Sequence, residues 1–361
     1  MQDFFPIIDL KGKHYEMGKT HGRILAKEIQ TNLELYFMML RGLTGLEPQQ
    51  CLTHAARILD AMQKDAPHLL EEMEGIADGA QVPLNEILFL NTRSELMSMG
   101  RAPDDMPGEC TAIGLTGERT ISGKPVLAQN WDWHERVLQT TAIFRIEPAQ
   151  GAKAVFLAEA GQVAKIGVNE NGVGVLLNIL IIEGMEYGLP VHVLLRLVLG
   201  SKDTAEAVAL VKNARRAGAS HFLIGDKSGN IKGLELMPRA IKEIIPAGGA
   251  LVHTNHYCDA DLAKKDVGRL LMPDSFARLD RAAALISTRQ LWDDQSLESL
   301  AEIFTNHDDV PRSICRHARA EDEEYFRVDT IASCIIDLAG SKMRVSYGQP
   351  CGAPYREVAL L

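Results

Sequence analysis

From His14 to about Met99 apolar side chains recur at intervals of three and four, as in Ile24, Leu25, Ile29, Leu33, Leu35 and Phe37, and again in Leu69, Leu70, Met73, Ile76 and Ala77. That spacing lines one face of an α-helix, so the first quarter of the chain is predicted to be mostly helical. The run RAPDDMPGE, residues 101–109, ends the periodicity: its prolines remove ladder donors and its glycine and acids favour an exposed loop. Short apolar segments follow, TAIGLTG, KPVLAQNWDW, TAIFRIEP, AVFLAEA and AKIGVNENGVGVLLNIL, separated by turn pairs such as Ser122-Gly123 and Asn171-Gly172. These predict hairpin-linked strands. Helical spacing returns from Leu189 to about Ala214, then strands in SHFLIGDKSGNIKGLELM and AIKEIIPAGGALVHTNH, helices over Ser275–Ser287 and Ser296–Thr305, and two last strands, TIASCIIDLAG and KMRVSYG. Strands in hairpins with helices in separate blocks indicate a layered α+β protein, taken as one domain over 1–361.

Composition narrows the function. The chain has 361 residues, 46% hydrophobic and 24% charged, which suits a folded globular protein. With 48 acidic against 38 basic residues and no basic run, nucleic acid is a poor partner. Asp3, Asp9, Lys11 and Lys13 interrupt the N-terminus where a secretory signal needs an unbroken apolar stretch, and the apolar runs at 173–182 and 189–199 are short or carry His192 and Arg196. The expectation is a cytoplasmic protein without a membrane segment. Six cysteines lie far apart without a CxxC pair, which reads as mostly buried, reduced thiols.

One of them stands apart. Cys110 follows the turn-rich loop and opens a predicted strand, CTAIGL. A cut at the Glu109–Cys110 peptide bond would leave a thiol and a free α-amine on one rigid residue, and an amine titrating near ~8 suits a general base for that thiol. The plain alternative is a small apolar residue at a strand start. Against it, KPVLA ends in Gln129-Asn130-Trp131-Asp132-Trp133, and an antiparallel return through TGERTISG carries Asp132 back beside Cys110. Taken alone, NWDW reads equally as a turn anchored by two indoles.

GECT followed by AQNWDW resembles the acyl-coenzyme A:6-aminopenicillanate acyltransferase family of autoprocessed cysteine N-terminal-nucleophile hydrolases. GKHYEMGKTHG, GVNENGVGVLLN, GLPVHVLLR, VHTNHY, RSICRH and TIASCIIDL are similar in the same order, so the resemblance spans nearly the whole chain. It implies a four-layer αββα sandwich, cut into an α chain, 1–109, and a β chain, 110–361, that stay associated. It also implies Cys110 as nucleophile, Asp132 as the carboxylate fixing the new amine, Asn255 as oxyanion donor, worth ~3 kcal/mol of barrier, and Arg327 beside the nucleophile. A surface ion pair is the ordinary use of such an arginine. Phe326 stands where the fungal enzyme of this family has a hydroxyl residue, and Glu109 where it has glycine.

Asn130, Trp131, Trp133, His256, Ser313 and Arg316 are candidate pocket residues. His253 and His256, with His307, Asp308, Cys315 and His317, offer metal-ligand atoms, but without HExxH or CxxC spacing they are expected to shape the pocket wall, with no metal or cofactor. The glycine-rich 167–174 segment opens no helix and reads as a hairpin, and Ser220 and Ser313 lack a GxSxG elbow. The expected activity is hydrolysis of a linear amide in a small N-acyl compound. The alternatives are acyl-coenzyme A-dependent N-acyl transfer, or an uncleaved binding protein on the same scaffold; assembly into a homo-oligomer is left open.

Overall fold

The computed structural model describes residues 3–99, 109–293, 298–308, 310, 312–324 and 327–361. Most of the loop expected at 101–109, the start of the helix expected from Ser296, and Phe326 thus lie outside the described residues. Strand β1 (Ile7–Gly12) precedes helices α1 (His14–Ile24), α2 (Ala26–Thr44), α3 (Pro48–Ala56), α4 (Leu59–Asp65), α5 (Pro67–Ala80) and α6 (Leu84–Leu96). Strands β2 (Glu109–Leu115), β3 (Val126–His134), β4 (Thr141–Pro148), β5 (Ala154–Glu159), β6 (Ile166–Asn169) and β7 (Gly174–Ile179) follow, then helices α7 (Val191–Val198) and α8 (Thr204–Asn213). The remainder is β8 (Ser220–Gly225), β9 (Ile231–Leu236), β10 (Ile241–Ile244), β11 (Ala250–His253), α9 (Gly268–Leu271), α10 (Asp274–Ser287), α11 (Glu298–Phe304), β12 (Val328–Asp337), β13 (Lys342–Ser346) and β14 (Tyr355–Ala359).

Two sheets result. One has the order β1-β4-β5-β6-β7-β8-β9-β10, the other β11-β2-β3-β12-β13-β14. Sequence alternation explains how they stack. Along β3, Leu127, Trp131 and Trp133 enter the large core shared with the first sheet, while Val126 and Ala128 join Ile113, Leu115 and Ile335 under α10 and α11. All nine residues of β3 are therefore buried. The outer face of the first sheet is covered by helices, α8 lying on β8 and β9 and α1 on β1. The order is helix, sheet, sheet, helix, the αββα sandwich of the expected fold class.

Strands β1 and β14 were not expected. β1 is a short edge strand beside parallel β4, and β14 an edge strand with one buried side chain, Val358, so neither carries a strong apolar pattern.

The glycines of HYEMGKTHG have a steric reason. Helices α1 and α5 cross so closely that a Cβ on Gly18 would lie 1.9 Å from the Glu72 carbonyl oxygen, and one on Gly22 2.1 Å from that of Ile76. Reciprocally, Gly75 and Gly79 face the carbonyls of Tyr15 and Lys19 at 2.1 and 2.2 Å. Either Gly18→Ala or Gly75→Ala should push the helices apart and lower stability by about 1–3 kcal/mol, the usual cost of overpacking, as read from the urea midpoint. An unchanged midpoint for both would contradict this packing.

Candidate active site

The β2–β3 hairpin sets Glu109 opposite Asp132 and Cys110 opposite Trp131. Because faces alternate along a strand, Cys110 and Trp131 share the face toward the first sheet, and Asp132 leaves by the face toward α10. The backbone nitrogen of Cys110 faces the β11 side of β2.

That nitrogen is not held by a strand. β11 pairs with β2 from Ala250↔Leu115 to His253↔Ala112, and the same register continued would bring residue 255 opposite Cys110. The backbone of β11 ends at His253, and the Asn255 side chain takes over: the Cys110 N–H donates to Asn255 Oδ1 at 2.7 Å. Arg278 Nη2, from α10, donates to the same oxygen at 3.1 Å, and Asn255 Nδ2 donates to the Ile179 carbonyl at 3.0 Å. The amide is thereby fixed with its oxygen toward Cys110. The Cys110 carbonyl accepts from Arg278 Nη1 at 2.9 Å and from Asn178 Nδ2 at 3.2 Å. Arg278 in turn donates through Nε to Asp274, one turn earlier on α10.

Asp132 Oδ1 accepts from Thr330 Oγ1 at 2.6 Å, and Thr330 Oγ1 accepts from the Arg316 N–H at 2.9 Å. Asp132 Oδ2 has no hydrogen-bond partner among the described residues. Burial pushes the carboxyl up to about 7, against the Thr330 hydrogen bond and the nearby Arg278 and Arg316 charges. Burial also pushes the Cys110 thiol up to about 11, with the Asp132 charge adding to it and Lys165 and Arg278 opposing it. In the uncut chain the thiol is thus protonated at neutral pH. Lys165 is buried with its ammonium 4.1 Å from the Trp131 ring centre and 3.4 Å from Glu159 Oε1, and burial lowers it to about 8.

The other expected residues divide. Arg327 is a correction: its side chain is 39% exposed, lies 3.7 Å from Glu135 and donates to the Asp322 and Ala320 carbonyls. It stands just before β12, three positions ahead of Thr330, the residue level with Asp132, which at 3.3 Å per residue puts its backbone roughly 10 Å away. The arginine at the Cys110 backbone is Arg278. Arg316 is buried, 3.8 Å from Asp274, and its backbone bonds Thr330 in both directions.

Asn130 is not a pocket group but an anchor, its Nδ2 donating to the Phe304 and Ile314 carbonyls at 2.9 Å each. Trp131 is buried beside Cys110, and Trp133 donates to the Tyr36 hydroxyl at 2.7 Å. His256 sits 2.8 Å from Ser275 Oγ and stacks on Phe276, and burial lowers it to about 4, so it is neutral. Ser313 Oγ donates to the Cys315 carbonyl, and Ser220 is buried at the start of β8. His253 stacks on His221 and contacts Glu235. Arg278, Thr330, Asn178 and Lys165 were missed by sequence reasoning. A lone lysine inside the apolar run AGQVAKIGV and the Asp274–Arg278 spacing were the available signals.

A two-sheet sandwich cased in helices, with a buried cysteine opening a central strand and side chains gathered at its nitrogen, is the frame of an N-terminal-nucleophile hydrolase. A family model described as acyl-coenzyme A:6-aminopenicillanic acid acyl-transferase matches residues 119–351. Over 347 residues the chain is 30% identical to the 40 kDa form of acyl-coenzyme A:6-aminopenicillanic-acid-acyltransferase from Emericella nidulans, covering 95% of this chain and 92% of the relative. Among solved structures, a variant of conjugated bile acid hydrolase from Clostridium perfringens is 14% identical with a TM-score of 0.48, covering 70% of this chain and 97% of its own. Penicillin V acylase from Agrobacterium tumefaciens is 14% identical with a TM-score of 0.44, covering 66% and 83%. The chain belongs to the acyl-coenzyme A:6-aminopenicillanic acid acyl-transferase family, and it is an acyl-transfer enzyme. Among the described residues no helix is long and apolar enough to cross a membrane.

The raised Asp132 carboxyl has a consequence for stability. A carboxyl whose value folding raises from 3.8 to about 7 stabilises the fold fully below the lower value and loses that contribution as pH climbs through the upper. Between pH 5 and pH 8 the Asp132 protein should lose about 2–3 kcal/mol more than Asp132→Asn, at about 1.4 kcal/mol per unit. Thermal unfolding of both in a Cys110→Ala background, which keeps the backbone intact, measures this; parallel pH profiles would sink it.

Proposed function

We propose that the chain matures by cutting itself between Glu109 and Cys110, and then works as a cysteine amidohydrolase on a linear amide bond of a small N-acyl compound. The observation that carries this reading is the Cys110 nitrogen. A buried N–H beyond the end of β11 needs an acceptor, which Asn255 gives at 2.7 Å, but it does not need an arginine behind that acceptor or an unpartnered carboxylate oxygen on Asp132, opposite Glu109 in the neighbouring strand. An α-ammonium needs all of this: Asn255 Oδ1 already faces it, and Asp132 Oδ2 supplies the negative charge.

Maturation begins when Cys110 Sγ adds to the Glu109 carbonyl carbon and loses its proton. The C–N bond breaks, the nitrogen leaves as the amine, and a thioester joins Glu109 to the Cys110 sulfur. Water hydrolyses that ester, giving a Glu109 carboxylate and the free thiol. In turnover the α-amine takes the thiol proton, the thiolate adds to the substrate carbonyl, and the amine leaving group departs with the proton. Water, deprotonated by the same α-amine, releases the acid. Asn255 Nδ2 has one acceptor among the described residues, the Ile179 carbonyl, so its second hydrogen is available to the oxyanion. The ammonium form of Lys165 lowers the cost of a thiolate at Cys110.

The cut chains would stay together. Asn32 donates to the Ala160 carbonyl at 2.9 Å, Trp133 donates to Tyr36, and Tyr36 and Arg93 both donate to Glu159, so the segment 1–109 is bonded across the shared core. A thiol nucleophile remains reduced in the cytoplasm, where this reading places the protein.

Acyl-coenzyme A-dependent transfer is the second reading, favoured by the identity to the Emericella nidulans acyltransferase. In it an amine resolves the thioester in place of water. Hydrolysis is preferred here because Arg278 and Arg316 at the site are engaged with Asp274, and Lys165 with Glu159, leaving little positive charge to receive a nucleotide.

Intact-mass analysis of fresh protein should find fragments 1–109 and 110–361 eluting together on native size exclusion, and Cys110→Ala should give one chain. Active protein of full-length mass would refute the maturation step. In a panel of N-acyl amines, acyl amino acids and penicillins, Asn255→Ala should lower kcat by about 10²–10³ without blocking substrate binding, whereas Arg327→Ala should leave kcat within about threefold. Acid release without added coenzyme A favours hydrolysis; product formed only from an acyl-coenzyme A favours transfer.

A further inference from the structure

The residues set aside as pocket wall come together elsewhere. His307, in the turn after α11, Cys315 and His317, in the following loop, and Cys351, in the turn between β13 and β14, each present one ligand atom, all within 4.8 Å of one another. His307 Nε2 is 3.1 Å from His317 Nε2, and Cys351 Sγ and Cys315 Sγ lie 3.4 and 3.7 Å from that same nitrogen. A hydrogen-bonded histidine pair accounts for the first distance, but not for two thiols aimed at one imidazole nitrogen. Four donors gathered toward one tetrahedral centre account for both thiol distances, with the imidazole nitrogens drawn slightly closer than the ion would hold them. Zinc takes sulfur at about 2.3 Å and nitrogen at about 2.0–2.1 Å, which separates its ligands by roughly 3.3–3.8 Å.

We propose that His307, Cys315, His317 and Cys351 bind one zinc-class ion as a closed Cys2His2 site that fastens the 306–317 loop to the β13–β14 turn. Two imidazoles and two sulfurs are the donor set that favours a borderline-soft ion over magnesium or calcium, and four protein ligands leave no open position, so the role is structural. Binding releases the two thiol protons to solvent, and two thiolates balance the dication. His307 and Cys351 are exposed, giving the ion a way in.

The site bears on the chemistry at one remove. Cys315 is followed by Arg316, whose N–H and carbonyl are bonded to Thr330, and Thr330 donates to Asp132. A loop fastened at 307, 315 and 317 keeps Arg316 and Thr330 in place, as positioning residues.

The test uses full-length protein, wild type and Cys110→Ala, produced with zinc in the medium and purified without a histidine tag or chelator. Elemental analysis should find about one zinc per chain in both, and cobalt replacement should give visible bands of tetrahedral cobalt with thiolate charge-transfer bands in the near ultraviolet. Cys351→Ser and His307→Ala, both at exposed positions, should keep the wild-type circular dichroism while zinc affinity falls at least about tenfold. Wild-type protein with under about a tenth of an equivalent of zinc and no cobalt–thiolate bands would overturn the proposal. So would a mass two hydrogens low from a Cys315–Cys351 disulfide, or undiminished zinc in the Cys351→Ser, His307→Ala double variant. Because the Cys110→Ala chain serves equally, the outcome is independent of the acyl chemistry.

Discussion

Everything at this site follows from a buried peptide group that the sheet declines to bind. Cys110 begins a strand where its outer neighbour, β11, has already turned away, so both of its backbone polar groups face away from any strand partner. At 4% exposure, leaving them unsatisfied would cost about 1–3 kcal/mol each. Side chains do the work instead: Asn255 for the nitrogen, Arg278 and Asn178 for the carbonyl. A side-chain carbonyl and a nearby carboxylate can accept from an amide nitrogen and from a charged amine alike.

Electrostatics give the arrangement its direction. Around Asp132 lie two arginines and a second carboxylate, Asp274, which contacts both arginines. Protonated, the carboxyl adds no negative charge beside those arginines; ionised, it leaves Oδ2 without a hydrogen-bond donor among the described residues. A new ammonium would restore that donor and draw the carboxyl back into its ionised form. In the proposed maturation the new ammonium supplies that donor, and the thiol, raised by the same burial, gains a base at the same moment.

How much of this was legible in the sequence depends on the range of the interaction. The helical first quarter, the hairpins and the return of Asp132 to the start of β2 are consequences of local periodicity and one short turn, and they could be read directly. Edge strands β1 and β14 could not, since an edge buries too few side chains to leave a pattern. Arg327 shows a subtler limit: its place near Thr330 in the chain is right, but three residues along a strand is roughly 10 Å, and its guanidinium ends on Glu135. Arg278 comes from a helix 168 residues away from Cys110, and no spacing announces such a contact. Asn130, His256 and Ser313 show another limit, since each hydrogen-bonds within the protein. In a strand or loop buried on every side, polar side chains are needed to satisfy backbone groups, and such anchors look from sequence like a pocket lining.

The same limit bears on the His and Cys cluster. Absence of CxxC or HExxH spacing excludes a site built on one hairpin or one helix, and nothing more. Here two ligands come from Cys-x-His, one from a turn eight residues earlier and one from beyond two strands, so the cluster exists only once β12 and β13 have paired. A clamp assembled that late in folding cannot help nucleate the sandwich. Its effect falls on the loop that carries Arg316, which is otherwise tied down by the Thr330 bonds and Asn130 and whose described residues form no helix or strand to keep it against the sheet. Fixing a loop whose backbone touches the residue bonded to Asp132 is a way to hold a charge in register without placing another charge beside it.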